Sequence, residues 1–245
     1  MTTAVYFDLD GTLCTYTQGF ERQFEAAVNP YGEPTERAYA IYVEALFDAL
    51  DRCAETPYRQ AYEAVVEGTS LEADPAVLAR EQCQVELEAT AVSSETKRVV
   101  ERVGNSWPTG ILTNGDGRQQ RAKIDRHGLD ELVATVIVSN EIGARKPEPT
   151  IFETARERLP AANYVYVGDT YDEDIVGARE AGFRTVYVQG EDGESSEIDV
   201  QTTNTVLTND PANECADAVV PSVESLLNPD ALPPGLSRVF EEVVP

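Results

Sequence analysis

The sequence contains few of the residues that form most metal and redox sites in small proteins. Among 245 residues there are one histidine, one methionine, one tryptophan and four cysteines. The cysteines Cys14, Cys53, Cys83 and Cys215 are widely spaced and form no Cys-x-x-Cys pair, so we expect reduced thiols rather than a zinc site or a disulfide framework. The single histidine, His127, lies in a polar segment without a second histidine nearby, so we expect it on the surface or at a helix end.

Long apolar runs are also missing. No stretch approaches the roughly 20 apolar residues that span a bilayer. The N-terminus lacks the basic region and long apolar run of a cleaved signal. We therefore expect a cytoplasmic protein that does not act at a membrane.

Basic residues are scarce as well. The 19 basic residues face 44 acidic ones, which are spread along the whole chain and give a net charge of −25. This balance argues against a nucleic-acid partner, because phosphate backbones require a basic face. Only Lys97, Lys123 and Lys146 are lysines; the other basic residues are arginines. A dispersed acidic surface with little lysine resembles the surfaces of proteins from salt-loving organisms, where screening lengths shrink to ~3 Å in molar salt.

Strand-like and helix-like segments alternate through most of the chain. Short apolar runs that end in polar residues or glycine predict buried parallel strands at 4–12, 109–115, 135–141, 164–170 and 185–190. Apolar positions at spacings of three and four predict helices at 94–103, 117–128 and 149–159. A weaker run at 216–222 suggests an edge strand. The alternation predicts an α/β fold with a doubly wound parallel sheet and ligands at the carboxyl ends of its strands.

Residues 15–92 interrupt this alternation. They contain apolar and aromatic residues at helical spacing, clearest at 36–52, 56–68 and 74–89, and no convincing strand. We interpret them as an inserted helical domain, with residues 1–14 and 93–245 forming the α/β core domain. Most of the aromatic residues in the insertion are expected in its core. The polar run at 190–213 predicts a surface loop.

Four segments place reactive side chains at predicted strand ends. They are DLDGT with Asp8 and Asp10, LTNG with Thr113 and Asn114, KPEPTIF with Lys146, and GDTYDEDIVGA with Asp169 and Asp174. Two aspartates at i and i+2 on a strand point to the same face, so the first pair is expected to project together. Each segment alone has an ordinary explanation, such as a turn, a helix cap or a surface lysine.

Taken together and in this order, the four segments resemble the motifs of the haloacid dehalogenase (HAD) superfamily, most of whose members are phosphatases. DLDGT is similar to the first motif without departure, and the other three segments are similar to the second, third and fourth. The similarity extends from Val5 to Gly190 and into 216–226. It implies a Rossmann-type α/β core with an α-helical cap domain between the first and second motifs.

The resemblance implies a Mg²⁺-dependent phosphatase acting on a small phosphorylated metabolite through an aspartyl-phosphate. Asp8 would attack phosphorus. Mg²⁺ would be held by Asp8, the backbone carbonyl of Asp10, Asp169 and, directly or through water, Asp174.

The same resemblance implies how the phosphoryl group is held. Lys146 would balance the negative charges, and Thr113 would donate a hydrogen bond with help from the Asn114 amide. Phosphoryl transfer spreads negative charge over the equatorial oxygens, so such a site must be locally positive.

Asp10 distinguishes two chemistries within the superfamily. A protonated second aspartate can donate a proton to the leaving alcohol and then deprotonate the attacking water. Dehalogenase members expel halide, which needs no proton, and lack this residue. The presence of Asp10 therefore argues against dehalogenation.

Two alternatives and several substrates stay open at this point. A phosphomutase would share Asp8, Asp10 and the metal site, and a non-catalytic binding protein could use the same fold. Phosphoglycolate, sugar phosphates and nucleoside monophosphates are all compatible with the sequence, and the oligomeric state is undetermined. Four residues could contact substrate or could equally belong to surface salt bridges and core packing: Tyr16, Arg22, Arg37 and Arg59.

Overall fold

The computed structural model describes residues 2–190 and 215–241. In chain order the strands are β1 (Thr3–Phe7), β2 (Thr15–Tyr16), β3 (Thr90–Ala91), β4 (Thr109–Thr113), β5 (Thr135–Val138), β6 (Asn163–Gly168), β7 (Arg184–Val188) and β8 (Ala218–Val220). The α-helices are α1 (Phe20–Val28), α2 (Glu36–Asp51), α3 (Pro57–Gly68), α4 (Pro75–Glu88), α5 (Ser94–Ser106), α6 (Gly117–His127), α7 (Ser139–Ile142), α8 (Pro149–Arg158), α9 (Gly177–Glu180) and α10 (Pro234–Phe240). A π-helical turn spans Tyr171–Val176, and short 3₁₀ turns lie at Asp130–Leu132, Val223–Leu227 and Pro229–Ala231.

Six strands form one parallel sheet in the order β5-β4-β1-β6-β7-β8. Strand β1 is central and pairs with β4 on one side and β6 on the other, with Phe7 opposite both Ile111 and Val167. The carboxyl ends of these three strands therefore lie side by side, where a doubly wound sheet binds its ligands. The predicted fold class is confirmed, and so is the edge strand predicted at 216–222.

The side chains of β1 alternate between two cores. Val5 and Phe7 pack with apolar residues of α5 and α6 on one face, whereas Ala4 and Tyr6 pack with residues of α8 on the other. This alternation follows from the two-residue period of a strand. Helices cover both faces, and every residue of β1 is buried.

Helices α1 to α4 share a separate aromatic core. Phe24, Tyr42 and Tyr62 are buried there, with the Phe24 and Tyr62 rings stacked at 6.1 Å between centroids. The helices predicted at 36–52, 56–68 and 74–89 are present, and α1 is an additional one. The expectation that 15–92 holds no strand is wrong in one detail, because β2 and β3 pair antiparallel over two residues each. Such a short ladder leaves no periodic pattern in a sequence.

The remaining predictions differ in smaller ways. The strand predicted at 135–141 ends at Val138 and is followed by the short helix α7, and α10 was not predicted. His127 ends α6, as expected, and its Nε2 lies 2.8 Å from the Thr90 hydroxyl.

The loop predicted at 190–213 lies, apart from its first residue, outside the described residues. Within the described part of the chain, no helix combines the length and apolarity needed to cross a membrane, and the four cysteines are free thiols.

Candidate active site

Three buried aspartates converge at the carboxyl ends of β1 and β6. Asp8 directly follows β1, Asp169 directly follows β6, and Asp174 lies in the π-helical turn after β6. Carboxylate oxygens of all three lie within 4.8 Å of one another, and all three residues are buried. The structure thus brings together three aspartates from two of the segments that the sequence analysis singled out.

Local structure after β6 turns Asp174 back towards Asp8. The backbone N–H of Asp174 donates to the Thr170 carbonyl at 2.8 Å, and the Thr170 N–H donates to Asp174 Oδ2 at 3.0 Å. Gly168 is required for this approach, because a Cβ there would lie 2.3 Å from Asp174 Oδ2. The hydroxyl of Thr12 donates to Asp169 Oδ1 at 2.8 Å, so the DLDGT segment also positions the β6 aspartate.

Lys146 lies at the centre of this group. Its side chain is buried, with 1% of the residue exposed. The ammonium donates to Asp8 Oδ1 at 2.7 Å, to Asp174 Oδ1 at 2.5 Å and to the Tyr166 hydroxyl at 2.9 Å. Lys146 therefore joins the segment before α8 to the strand ends of β1 and β6.

The balance of charge in this cluster favours binding of a divalent cation. The cluster has three carboxylates and one ammonium, which contacts Asp8 and Asp174, so its net charge is −2 when all four groups are ionised. Burial raises the pKa of Asp8 well above its usual value, against the lowering effect of Lys146, and Asp174 and Asp169 raise it further. Carboxylate oxygens are the ligands that Mg²⁺ prefers. The donor set therefore suits a magnesium ion, which would relieve this repulsion.

The segment after β4 holds Lys146 in place from the other side. The Asn114 side chain donates to the Lys146 carbonyl at 3.1 Å and accepts from the Lys146 N–H at 2.9 Å. It also donates to Glu173 at 2.6 Å. The Thr113 hydroxyl accepts from the Gln120 amide at 2.9 Å. The Asn114 amide group thus fixes the lysine backbone, a role that the sequence did not indicate.

Asp10 belongs to a different set of contacts from Asp8. Its carboxylate accepts from Lys123 at 3.0 and 3.1 Å, from the Tyr16 hydroxyl at 2.8 Å and from Gln120 at 2.7 Å. Among the described residues, the carboxylates that could together hold a metal are those of Asp8, Asp169 and Asp174. The Asp10 side chain instead faces α6, although both aspartates lie at the end of β1.

Lys123 is the functional candidate that the sequence analysis missed. It is 2% exposed, and besides Asp10 its ammonium contacts Glu86 of α4 at 2.7 Å and the Tyr16 hydroxyl at 2.6 Å. Burial opposes its charge, but Asp10 and Glu86 raise the pKa of Lys123 well above its usual value. The Tyr58 hydroxyl of α3 donates to the other Glu86 oxygen at 2.7 Å.

One feature of the composition points to Lys123. The chain uses arginine for nearly all its positive charges, yet two of its three lysines, Lys123 and Lys146, are buried beside these aspartates. An ammonium is a compact point charge that can meet several oxygens in different directions, whereas a guanidinium is large and planar. The scarcity of lysine is thus the one feature of the sequence that could have pointed to Lys123.

A cavity of about 410 Å³ lies between the sheet edge and helices α1 to α4. Asp10, Asn114 and Asp169 line its inner side, and Tyr16 lines it as well. The three arginines considered as substrate contacts are exposed and outside the lining: Arg22, Arg37 and Arg59. Arg59 forms a surface ion pair with Glu63 at 2.9 Å.

Comparison with known protein families gives two matches. A family model for haloacid dehalogenase-like hydrolases matches residues 2–182. A HAD-hydrolase-like model matches residues 143–226. A glyceraldehyde 3-phosphate phosphatase from Methanothermobacter thermautotrophicus is 28% identical over 203 residues, which are 78% of this chain and 87% of the relative.

Solved structures share the fold at lower identity. The HAD-hydrolase YfnB from Bacillus subtilis, bound to magnesium, has a TM-score of 0.66 at 20% identity. The match covers 93% of this chain and 97% of the YfnB chain. L-2-haloacid dehalogenase from Xanthobacter autotrophicus also has a TM-score of 0.66 at 20% identity, and covers 94% of this chain and 100% of its own. The fold is therefore compatible with more than one chemistry, and the side chains of the site must decide between them.

Proposed function

Since this chain belongs to the haloacid dehalogenase-like hydrolase family, as the sequence predicts, we propose that it is a Mg²⁺-dependent phosphatase that hydrolyses a small phosphate monoester through an aspartyl-phosphate on Asp8. One observation carries the proposal: three buried carboxylates lie within 4.8 Å of one another, and the Lys146 ammonium contacts two of them. The relative named as a phosphatase supports the same reaction class.

In the first step, the Asp8 carboxylate attacks phosphorus and the bond from phosphorus to the alcohol oxygen breaks. Lys146, 2.7 Å from Asp8, offsets the negative charge of the nucleophile and of the phosphoryl oxygens. Thr113 would turn its hydroxyl from the strand end to a phosphoryl oxygen. Mg²⁺ held by Asp8, Asp169 and Asp174, together with the Asp10 carbonyl, would neutralise charge that grows on the transferred group.

Asp10 supplies the proton chemistry in this proposal. In its acid form it protonates the departing alcohol oxygen, and in its base form it takes a proton from the water that attacks the aspartyl-phosphate. Inorganic phosphate leaves and Asp8 is regenerated. Such proton transfer contributes typically ~10²–10⁴ in rate. Tyr16, Gln120 and Lys123 hold the Asp10 side chain at the edge of the cavity.

We also propose that residues 15–92 act as a cap domain over a core formed by 1–14 and 93–245. The cavity lies between these two parts, and two ion pairs connect them: Lys123 with Glu86, and Arg145 with Asp51. A cap in this place would exclude bulk water while the phosphoryl group is transferred to Asp8, and would contact the alcohol part of the substrate.

Phosphate release from p-nitrophenyl phosphate tests the proposed reaction. We expect turnover with Mg²⁺, loss of turnover with excess EDTA and loss in Asp8→Asn, which keeps the shape of the side chain but removes the nucleophilic charge. Asp172→Asn is a matched control, because Asp172 is an exposed aspartate of the same acidic turn as Asp174. Assays at low and at molar salt test whether the acidic surface is suited to high salt.

The outcomes separate the competing functions. Full activity of Asp8→Asn, or activity that does not depend on a divalent ion, would reject the proposed mechanism. A phosphomutase would instead need a bisphosphate activator and release little free phosphate. Absence of Asp8-dependent turnover over a broad panel of phosphate esters would favour a non-catalytic binding protein.

A further inference from the structure

The part of the cavity lining that comes from helices α1 to α3 is apolar and aromatic. It is formed by side chains from the start of α1, from α2 and from the start of α3, and we call it the aromatic wall: Phe20, Tyr42, Leu46, Phe47, Leu50 and Tyr58. The sheet-edge part of the lining includes Asp169, whose carboxylate adjoins Asp8, so the proposed reaction places the phosphoryl group there. The aromatic wall is therefore placed to contact the alcohol part of a substrate.

The charged residues of the lining are mainly acidic. Five lining residues are acids: Asp10 and Asp169 belong to the proposed reaction site, and Glu86, Asp116 and Glu173 are the acids of the remaining lining. Among the lining residues that the structure describes, Lys123 and Arg145 are the cations, and both are already paired. Lys123 contacts Asp10 and Glu86, while Arg145 contacts Glu173 at 2.5 Å and also Asp51.

From this arrangement we propose that the site selects phosphate monoesters whose alcohol part carries no second negative charge and has an apolar or aromatic portion. A second phosphate or a carboxylate on the alcohol would face acidic side chains and two cations that are already ion-paired. In the described lining, no free positive charge would then offset the cost of removing it from water. An apolar portion would instead exchange water for contact with the aromatic wall. The inference rests on the proposed phosphatase function and specifies its substrate class.

A matched series of primary alkyl phosphates tests the selection without changing the intrinsic reactivity of the ester. The series comprises phenylethyl phosphate, its para-carboxylate derivative, the methyl ester of that derivative, and hydroxyethyl phosphate. We expect kcat/KM for the methyl ester to exceed that for the carboxylate by at least about tenfold. We expect kcat/KM for phenylethyl phosphate to exceed that for hydroxyethyl phosphate by at least about tenfold.

Phe47 offers a position at which the charge of the wall can be changed. It is 37% exposed on α2, so Phe47→Lys should fold and would add a positive charge to the aromatic wall. The ratio of kcat/KM for the methyl ester to kcat/KM for the carboxylate should then fall at least about threefold. Tyr31→Lys is the control, since Tyr31 is 38% exposed and lies outside the lining; its ratio should match that of the wild type.

Each outcome has a defined meaning. Equal kcat/KM for the methyl ester and the carboxylate, or for phenylethyl and hydroxyethyl phosphate, would overturn the inference. If phosphate release still depended on Asp8 in that case, the proposed function would stand. An unchanged ratio in Phe47→Lys would equally overturn the role of the wall. No Asp8-dependent release from any ester, p-nitrophenyl phosphate included, would overturn the proposed function and this inference with it.

Discussion

Lys123 should stabilise the protein mainly by neutralising Glu86, and replacing it with methionine tests this. The substitution keeps an unbranched side chain of similar length but removes the ammonium 2.7 Å from Glu86 and 3.0 Å from Asp10. Glu86 would stay buried beside the hydroxyls of Tyr58 at 2.7 Å and Tyr16 at 3.3 Å, of which Tyr16 already donates its one proton to Asp10. Neither hydroxyl carries a compensating positive charge.

The expected loss follows from the burial of both partners. Removing one member of a buried ion pair costs about 3–5 kcal/mol of unfolding free energy. For a protein of this size that lowers Tm by about 6–20 °C. Lys97→Met is the control, because Lys97 is only half-buried on α5, and its effect should stay below about 1 kcal/mol.

A double-mutant cycle with Glu86→Gln isolates the charge effect. Glutamine can still accept the Tyr58 hydrogen bond but carries no charge, so Glu86→Gln should restore much of the stability lost in Lys123→Met. We expect a coupling free energy of at least ~1 kcal/mol from denaturant unfolding followed by circular dichroism. Additive single effects, or a Lys123→Met variant as stable as the wild type, would refute the account of this ion pair.

Three further predictions concern the aspartate cluster. Burial raises the pKa of Asp8, so the folded metal-free protein binds the Asp8 proton more tightly than the unfolded chain does. Protonation of Asp8 therefore stabilises the fold. This stabilisation is complete below the usual aspartate pKa of about 4 and is lost as pH rises through the raised pKa of the folded protein. In EDTA, Tm should thus fall with rising pH more steeply in the wild type than in Asp8→Asn; parallel curves would contradict this. Gly168→Ala would place a Cβ 2.3 Å from Asp174 Oδ2, so Mg²⁺ affinity measured by titration calorimetry should fall at least about tenfold. Gly19→Ala, where a Cβ meets nothing within 4 Å, should bind Mg²⁺ like the wild type, and equal affinity of both variants would reject the requirement for glycine. Asp10→Asn should lower kcat by ~10²–10⁴ with intact Mg²⁺ binding, and a kcat near that of the wild type would exclude Asp10 as the acid and base.

The sequence predicted the parts of the fold that depend on local pattern. Strands such as β1 and β6 are apolar runs that end in acids, and parallel strands deliver their end residues to one edge of the sheet. Asp8 and Asp169 could therefore be placed near each other once the strands were assigned, whereas Lys146 lies beyond α7 and only the family resemblance placed it there. Their catalytic roles stay predictions.

The contacts that the sequence did not predict depend on how helices face each other. Lys123 lies in a helix whose pattern is ordinary, and Glu86 lies in another helix 37 residues earlier. Nothing in either pattern specifies which face of α4 meets which face of α6. The Asn114 side chain illustrates the same limit, because its partner, the Lys146 backbone, is set by the path of a loop.

Asp8 is the proposed nucleophile, and trapping the enzyme during turnover tests this role most directly. Wild-type protein mixed with p-nitrophenyl phosphate and Mg²⁺ would be quenched within milliseconds, reduced with borohydride and digested. Reduction converts an aspartyl-phosphate to homoserine, so mass spectrometry should find homoserine at position 8 and should find aspartate there when Mg²⁺ is withheld. Unmodified Asp8 in a sample that has released phosphate at the full rate, with homoserine at another aspartate, would contradict the account.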